Sequence, residues 1–126
     1  MISARSDGDP ATELLIRARA FIERGWCQHV GARDVAGSFV SATDQRAVAW
    51  CMYGALMAAG MPFNEADPRP YEHPAAQHLR AAIDDEDICV FNNAQETIEP
   101  VLAAFDRAIR SASPIAQESA DLEPIR

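Results

Sequence analysis

The chain has 126 residues, a formal net charge of -8 and no lysine, since all 11 basic residues are arginine. A chain of this length fits one domain with its own core, and its negative charge argues against direct binding to nucleic-acid phosphates. The longest apolar run, residues 47–61, is too short to cross a bilayer, and the polar N-terminus lacks a secretory signal, so we expect a cytoplasmic protein that does not enter membranes.

The first predicted helix follows a polar segment, residues 1–9, that we expect to be flexible. Pro10 suits a first helical turn, and the apolar residues recur at helical spacing as far as Ile22. Gly25 is a typical residue just beyond a helix end. This pattern predicts a helix over residues 11–24.

Residues 28–41 have no helical period, and "DVAG" at residues 34–37 is typical of a turn, so we expect a short β-hairpin or an ordered loop. The next segment is apolar on every helical face from Ala47 to Ala59 and meets Gly60. With Thr43 or Asp44 as its N-cap, it predicts a buried central helix over about residues 44–59.

The second half of the chain begins with a proline-rich stretch, residues 61–74, that indicates a loop. We expect a helix over residues 74–83, an acidic loop at residues 84–87, an extended segment at residues 88–91 and a turn at residues 92–97. The last helix would begin after Thr97, because Val101, Phe105 and Ile109 lie on one face.

These elements predict a mainly α fold, a compact bundle of about four helices around the buried helix at residues 44–59. The bundle would form a single helical domain over residues 10–110, followed by a polar tail at residues 111–126. The sequence makes no prediction about the oligomeric state.

Cys51 is the candidate nucleophile, because His73, His78 and Asn92 follow it in the order of a papain-type cysteine enzyme. Inside a helix that starts at Asp44, however, Cys51 would lie two turns from the N-terminus among apolar neighbours, which favours a buried, unreactive thiol. We therefore expect no catalytic residue and keep the thiol enzyme as the alternative.

Metal binding is not favoured by the cysteine and histidine spacing. Cys27 and His29 could share one side of an extended segment, with Cys51 and Cys89 as further ligands, but there is no C-x-x-C or H-x-x-x-H pair. His73 and His78 would not share one helix face. We expect neither a metal nor another cofactor.

Polar and aromatic residues on the predicted loops are the candidates for a binding site, because loops often carry function. They are Trp26, Gln28, Arg33, Asp34, Asn92 and Asn93.

Five segments in order resemble a small bacterial and phage-borne family that is known only as a domain of unknown function. They are "RGWCQ" (residues 24–28), "ARD" (32–34) with Gly37 following, "WCMYGAL" (50–56), "FNN" (91–93) and "VLAAFDRAI" (101–109). The resemblance implies a compact, mostly helical domain and no known activity. Family members tend to carry an acid where this chain has Asn93, so it implies no acid/base or metal function at that position.

The leading hypothesis is a non-catalytic interaction or regulatory protein whose acidic surface binds a basic protein partner. An inhibitor encoded by a mobile element is one example. It follows from the net charge of -8, the absence of lysine and the lack of a catalytic set. The alternative is a cysteine-dependent hydrolase or transferase that uses Cys51 with His73 or His78 and Asn92.

Overall fold

The computed structural model describes residues 10–61 and 73–113, which form five helices and a three-stranded sheet. In chain order these are α1 (Pro10–Arg24), β1 (Ala32–Arg33), β2 (Phe39–Val40), β3 (Ala49–Trp50), α2 (Met52–Ala59), α3 (Pro74–Ala82), α4 (Ile88–Ala94) and α5 (Glu99–Ala112). The mainly α fold with a short hairpin is confirmed. The segments predicted as a flexible N-terminus (1–9) and most of the polar tail (114–126) lie outside the described residues.

Helices α1, α3 and α5 pack against one another through the faces that their apolar periodicity predicts. Leu15 and Ile22 of α1 and Phe105 of α5 are fully buried. On the surface, Arg19 Nε donates to Asp106 Oδ1 at 2.6 Å and joins α1 to α5. Helix α1 begins at Pro10, and α3 begins at Pro74 with His73 as its N-cap.

The predicted hairpin is confirmed, and the sheet has a third strand. β1 pairs with β2 on one side and with β3 on the other, so the strand order is β2-β1-β3 and both pairings are antiparallel. The Asp34 carboxylate accepts from the backbone N–H groups of Ala36 and Ser38 at 3.0 and 2.8 Å, which fixes the turn. Gly37 completes the turn at φ 85°.

The helix predicted over residues 44–59 starts too early, because the helical part is α2, Met52–Ala59. Asp44 instead closes a tight turn, where its carboxylate accepts from the backbone N–H of Arg46 at 2.7 Å. Trp50 pairs with β1, and its indole N–H donates to the Ala42 carbonyl at 3.0 Å. These bonds stabilise a strand in the first half of the apolar run, although the apolar run by itself also fits a buried helix.

Helix α4 is the second difference from the sequence-based expectation. Residues 88–91 are helical rather than extended, and Asn92 and Asn93 belong to α4 rather than to a turn. Asp87 caps the helix, since its carboxylate accepts from the backbone N–H groups of Cys89 and Val90 at 2.8 and 3.1 Å. The apolar run at residues 88–91 is too short to show a helical period in the sequence, and the Asp87 cap stabilises the helix there.

Helix α2 lies in the interior, where it contacts α1, α4 and β3. Met52, Ala55 and Leu56 are fully buried. Gly54 allows the Gly31 carbonyl oxygen to approach the helix, because a Cβ at position 54 would overlap that oxygen. The loop before β1 is therefore held directly against the first turn of α2.

No helix within residues 10–61 and 73–113 has the length and apolar character needed to cross a membrane.

Candidate functional site

Cys51 is the N-cap of α2, immediately after β3 ends at Trp50. Its Sγ accepts from the backbone N–H of Gly54 at 3.3 Å, and its own backbone N–H donates to the Gly31 carbonyl at 3.1 Å. The side chain is 5% exposed. The structure therefore corrects the prediction that Cys51 lies two turns inside a helix, while it agrees with the prediction that the thiol is buried.

A cavity of about 130 Å³ opens beside Cys51. It lies between the residues that precede β1, the first turn of α2 and the first and last turns of α4. The lining residues are His29, Val30, Gly31, Cys51, Tyr53, Cys89 and Asn93. Two thiols, an imidazole and a phenol line this cavity. Among the described residues, we therefore take it as the candidate site with the most reactive side chains.

The rim of the cavity at His29 is held in an unusual backbone conformation. His29 has φ 75°, which places a residue with a side chain in the left-handed region. Its backbone N–H donates to Asn93 Oδ1 at 2.8 Å, so α4 fixes the position of the loop. Backbone strain of this kind persists only where surrounding contacts enforce it, and it is common at functional sites.

Both thiols that line the cavity are protonated at neutral pH. Burial raises the pKa of Cys51, and the hydrogen bond from Gly54 offsets only part of this increase. Burial also raises the pKa of Cys89 to about 11, with smaller contributions from Cys51 and Asp87. Burial raises the pKa of Tyr53 as well, and Cys89 and Cys51 add to that effect.

Asn92 forms the hydrogen-bonded centre behind this cavity and is fully buried. Its Oδ1 accepts from Trp26 Nε1 at 2.8 Å and from the backbone N–H of Met52 at 3.1 Å. Its Nδ2 donates to the Cys27 carbonyl at 3.1 Å and to Asn93 Oδ1 at 3.1 Å. One side chain thus joins α4, α2 and the segment after α1, which identifies it as a structural link.

A family model described as a family of unknown function (DUF6197) matches residues 6–111. The chain belongs to this family. The match confirms the resemblance seen in the sequence. No curated protein and no solved structure matches the chain.

In this DUF6197 chain, most of the predicted binding set lies together. Asn92 forms side-chain hydrogen bonds with both Trp26 and Asn93. Gln28 Nε2 donates to carbonyl groups at the C-terminal end of α4, including that of Gln95 at 2.6 Å. Arg33 donates to the Gln28 carbonyl at 3.2 Å and to that of Gly37 at 2.9 Å. These polar groups bond mainly to one another, and their contacts position the loop beside the cavity.

Asp34 stands apart from the others, because its carboxylate caps the hairpin turn.

The histidines named for the thiol-enzyme alternative lie on α3. His73 caps α3, where its Nδ1 accepts from the backbone N–H of Ala75 at 3.1 Å, and His78 Nδ1 lies 3.4 Å from the Ser111 hydroxyl. Neither histidine lines the cavity beside Cys51. The imidazole that does so belongs to His29, whose position in the sequence suggested only a possible metal ligand.

Tyr53 also lines the cavity, although its position in the sequence offers no reason to single it out, and Cys89 was considered there only as a possible metal ligand. Tyr53 follows Cys51 by two residues. Both residues line one cavity because Cys51 is the N-cap of α2, and that position depends on the β3–α2 boundary. Within residues 10–61 and 73–113, no three His, Cys, Asp or Glu side chains are close enough to hold a metal ion.

A second candidate surface surrounds α4 in this family member. We define the α4 acidic rim as the five exposed acids near the two ends of that helix other than the capping residue Asp87: Asp84, Asp85, Glu86, Glu96 and Glu99. None of the five forms a salt bridge within the described ranges. Val90 of α4 lies between the two groups and is 56% exposed.

Proposed function

We propose that this protein is a non-catalytic interaction or regulatory protein of the cytoplasm that binds a basic protein partner through the α4 acidic rim. The proposal rests on a difference between the acidic and the basic residues in how many partners they find within the chain. Acids at the rim have no salt-bridge partner in the described residues, whereas the arginines are mostly engaged within the chain.

The arginine contacts support this proposal one by one. Arg19 and Arg46 pair with carboxylates, and Arg107 donates to the Ala82 carbonyl at 2.9 Å. Arg24 lies over the rings of Phe21 and Trp50 at 5.5 and 5.6 Å. Arg17, Arg33 and Arg80 donate to backbone carbonyls. Seven of the eight described arginines thus satisfy groups of this chain, which leaves the rim acids to attract an external cation.

The rim also has the dimensions of a recognition surface. The seven residues of α4 span about 10 Å at 1.5 Å per residue, so its two acidic groups can engage cations one helix length apart. Val90, which lies between the two groups in the sequence and is exposed, offers an apolar contact. A charged rim around an apolar centre is a common arrangement in protein interfaces.

The whole-chain charge supports a protein partner over nucleic acid. The described residues contain eleven acids and eight arginines, so three of the eight net negative charges lie there and five lie elsewhere in the chain. Both parts are therefore acidic and repel phosphate. An inhibitor encoded by a mobile element is the specific class of regulator that we infer.

The test is affinity capture from a host lysate with quantitative mass spectrometry, using the wild-type chain and two charge-matched variants. The rim variant combines Asp84→Asn with Glu86→Gln. The control combines Glu13→Gln with Glu23→Gln on α1, which gives the same net charge. Since an exposed ion pair contributes about 0.2–1 kcal/mol, each lost rim charge should weaken binding by up to about fivefold.

A partner that is retained by the wild type and the α1 control but depleted by the rim variant would support the proposal. Raising the salt from about 0.1 M to about 1 M shortens the screening length from about 10 Å to about 3 Å and should release the same partner. Capture that ignores both the salt and the rim substitutions would refute the assignment to this surface.

The thiol-enzyme alternative gains one observation, because Cys51 lies at the N-terminus of α2 and shares its cavity with His29. A helix N-terminus and a nearby imidazole both favour a thiolate. Burial opposes them, since the pKa of Cys51 is raised. Iodoacetamide labelling of the folded protein near neutral pH distinguishes the two: rapid alkylation of Cys51 would support the enzyme, and alkylation only after denaturation would exclude it.

A further inference from the structure

The cavity beside Cys51 has the size of one small ring. Its volume is about 130 Å³. An engineered protein cavity of about 150 Å³ binds benzene, so a single six-membered ring matches the volume of this cavity. The cavity is also preformed, because the hydrogen bond from the His29 N–H to Asn93 Oδ1 holds its rim on α4.

The lining of the cavity favours an uncharged occupant. None of its seven residues carries a carboxylate or a guanidinium group. Its two thiols and its phenol are neutral at pH 7, because burial raises the pKa of each. An ion that entered would lose hydration without meeting a carboxylate or a guanidinium group in return.

Hydrogen-bond donors remain available in the cavity. Asn93 Oδ1 already accepts from the His29 N–H and from Asn92 Nδ2, which leaves its amide N–H groups. Cys51 Sγ accepts from the Gly54 N–H, which leaves its S–H. The Tyr53 hydroxyl is a further donor group among the lining residues. A ligand that accepts hydrogen bonds therefore finds partners in this cavity.

We propose that this cavity is a binding site for a small, neutral, single-ring compound that accepts hydrogen bonds, of the pyridine type. The apolar part of the ring lies against Val30 and Gly31, and its acceptor atom faces the donors of Tyr53, Cys51 and Asn93. This site is separate from the α4 acidic rim, so either proposal can fail without the other.

The test is a titration with pyridine and with benzene, followed by nitrogen–proton correlation NMR. Both rings should bind weakly, at about millimolar Kd, and should shift the backbone amides of Gly31, Tyr53 and Cys89. Tyr53→Phe removes one donor while it keeps the ring. Because a neutral hydrogen bond contributes about 0.5–1.5 kcal/mol, this change should weaken pyridine about two- to tenfold and leave benzene within about twofold.

A second pair of variants tests the location. Cys89→Leu fills the cavity and should abolish the binding of both rings, while Val90→Leu, on the exposed side of α4, should preserve it. In the wild type, pyridine should also slow the alkylation of Cys89 by iodoacetamide.

The proposal is overturned if no saturable shifts occur in the wild type, or if the shifts map away from the cavity. It is also overturned if Cys89→Leu binds both rings as the wild type does. An equal effect of Tyr53→Phe on pyridine and on benzene would overturn the requirement for a hydrogen-bond acceptor.

Discussion

Replacing Asn92 by leucine removes a side chain that four other groups depend on. Leucine has a similar volume, so the substitution mainly deletes hydrogen bonds. It leaves the backbone N–H of Met52 and the Cys27 carbonyl without their partner, and both residues are buried. The indole N–H of Trp26 loses its acceptor as well, although Trp26 is only partly buried.

The expected cost follows from the two buried groups. A buried donor or acceptor left without a partner costs about 1–3 kcal/mol, so two such groups give roughly 2–6 kcal/mol. The greater apolar character of leucine recovers about 1 kcal/mol, which leaves an expected loss of about 1–5 kcal/mol in the free energy of unfolding. Since small domains are stable by about 5–15 kcal/mol, the variant should fold but with a much lower stability.

Urea unfolding followed by far-UV circular dichroism measures this loss. The matched control is Asn93→Leu, one residue further along α4. Asn93 is partly exposed, and its one backbone partner, the His29 N–H, can bond to water instead. We expect the control to cost about 1 kcal/mol. If the two variants lose equal stability, or if Asn92→Leu costs less than about 1 kcal/mol, Asn92 does not hold these segments together.

Three further predictions concern neighbouring positions. Gly54→Ala should lower stability by about 1–3 kcal/mol in thermal unfolding, because its Cβ would overlap the Gly31 carbonyl, whereas Gly31→Ala meets no atom within 4 Å and should be nearly neutral. Asp87→Ala should cost about 0.5–2 kcal/mol through loss of the α4 cap, and Asp87→Asn should retain most of it; equal losses would refute the cap. Because the pKa of Cys89 rises from 9.0 to about 11 on folding, its alkylation rate should climb from pH 7 through pH 10 without a plateau near pH 9. The folded state holds this proton more tightly, so stability should fall as pH rises from about 9 to about 11, and Cys89→Ala should reduce that fall.

The helices with a long apolar period were predictable. In α1 and α5 the buried residues recur at helical spacing over 15 and 14 residues, and the ends carry local markers such as Pro10 and Gly25. Each of these features acts through neighbours in the chain, so the pattern alone is sufficient. The hairpin at residues 28–41 was predictable for the same reason, because Asp34 and Gly37 form its turn locally.

The segment from residue 44 to 59 was not predictable from local pattern, because a continuous apolar run fits a buried strand as well as a buried helix. The outcome depends on β1, which pairs with Ala49 and Trp50 from a distant part of the chain. This pairing ends at Cys51 and makes it the N-cap of α2. The pairing with β1 therefore sets the start of α2. As a result Cys51, the most reactive type of side chain in this chain, lies at the start of a helix and not in its interior.

The sequence by itself determined the helical class of this protein, its acidic character and the burial of the Cys51 thiol. The net charge is a sum over all residues, and apolar periodicity depends only on residues that are neighbours in the chain. Tertiary structure alone decided which residues share a cavity. His29, Tyr53 and Cys89 surround Cys51 because Asn92 and Asn93 bind the loop and α2 through hydrogen bonds to residues 40 to 66 positions away. Such bonds depend on how the elements pack, and no spacing within the sequence encodes them.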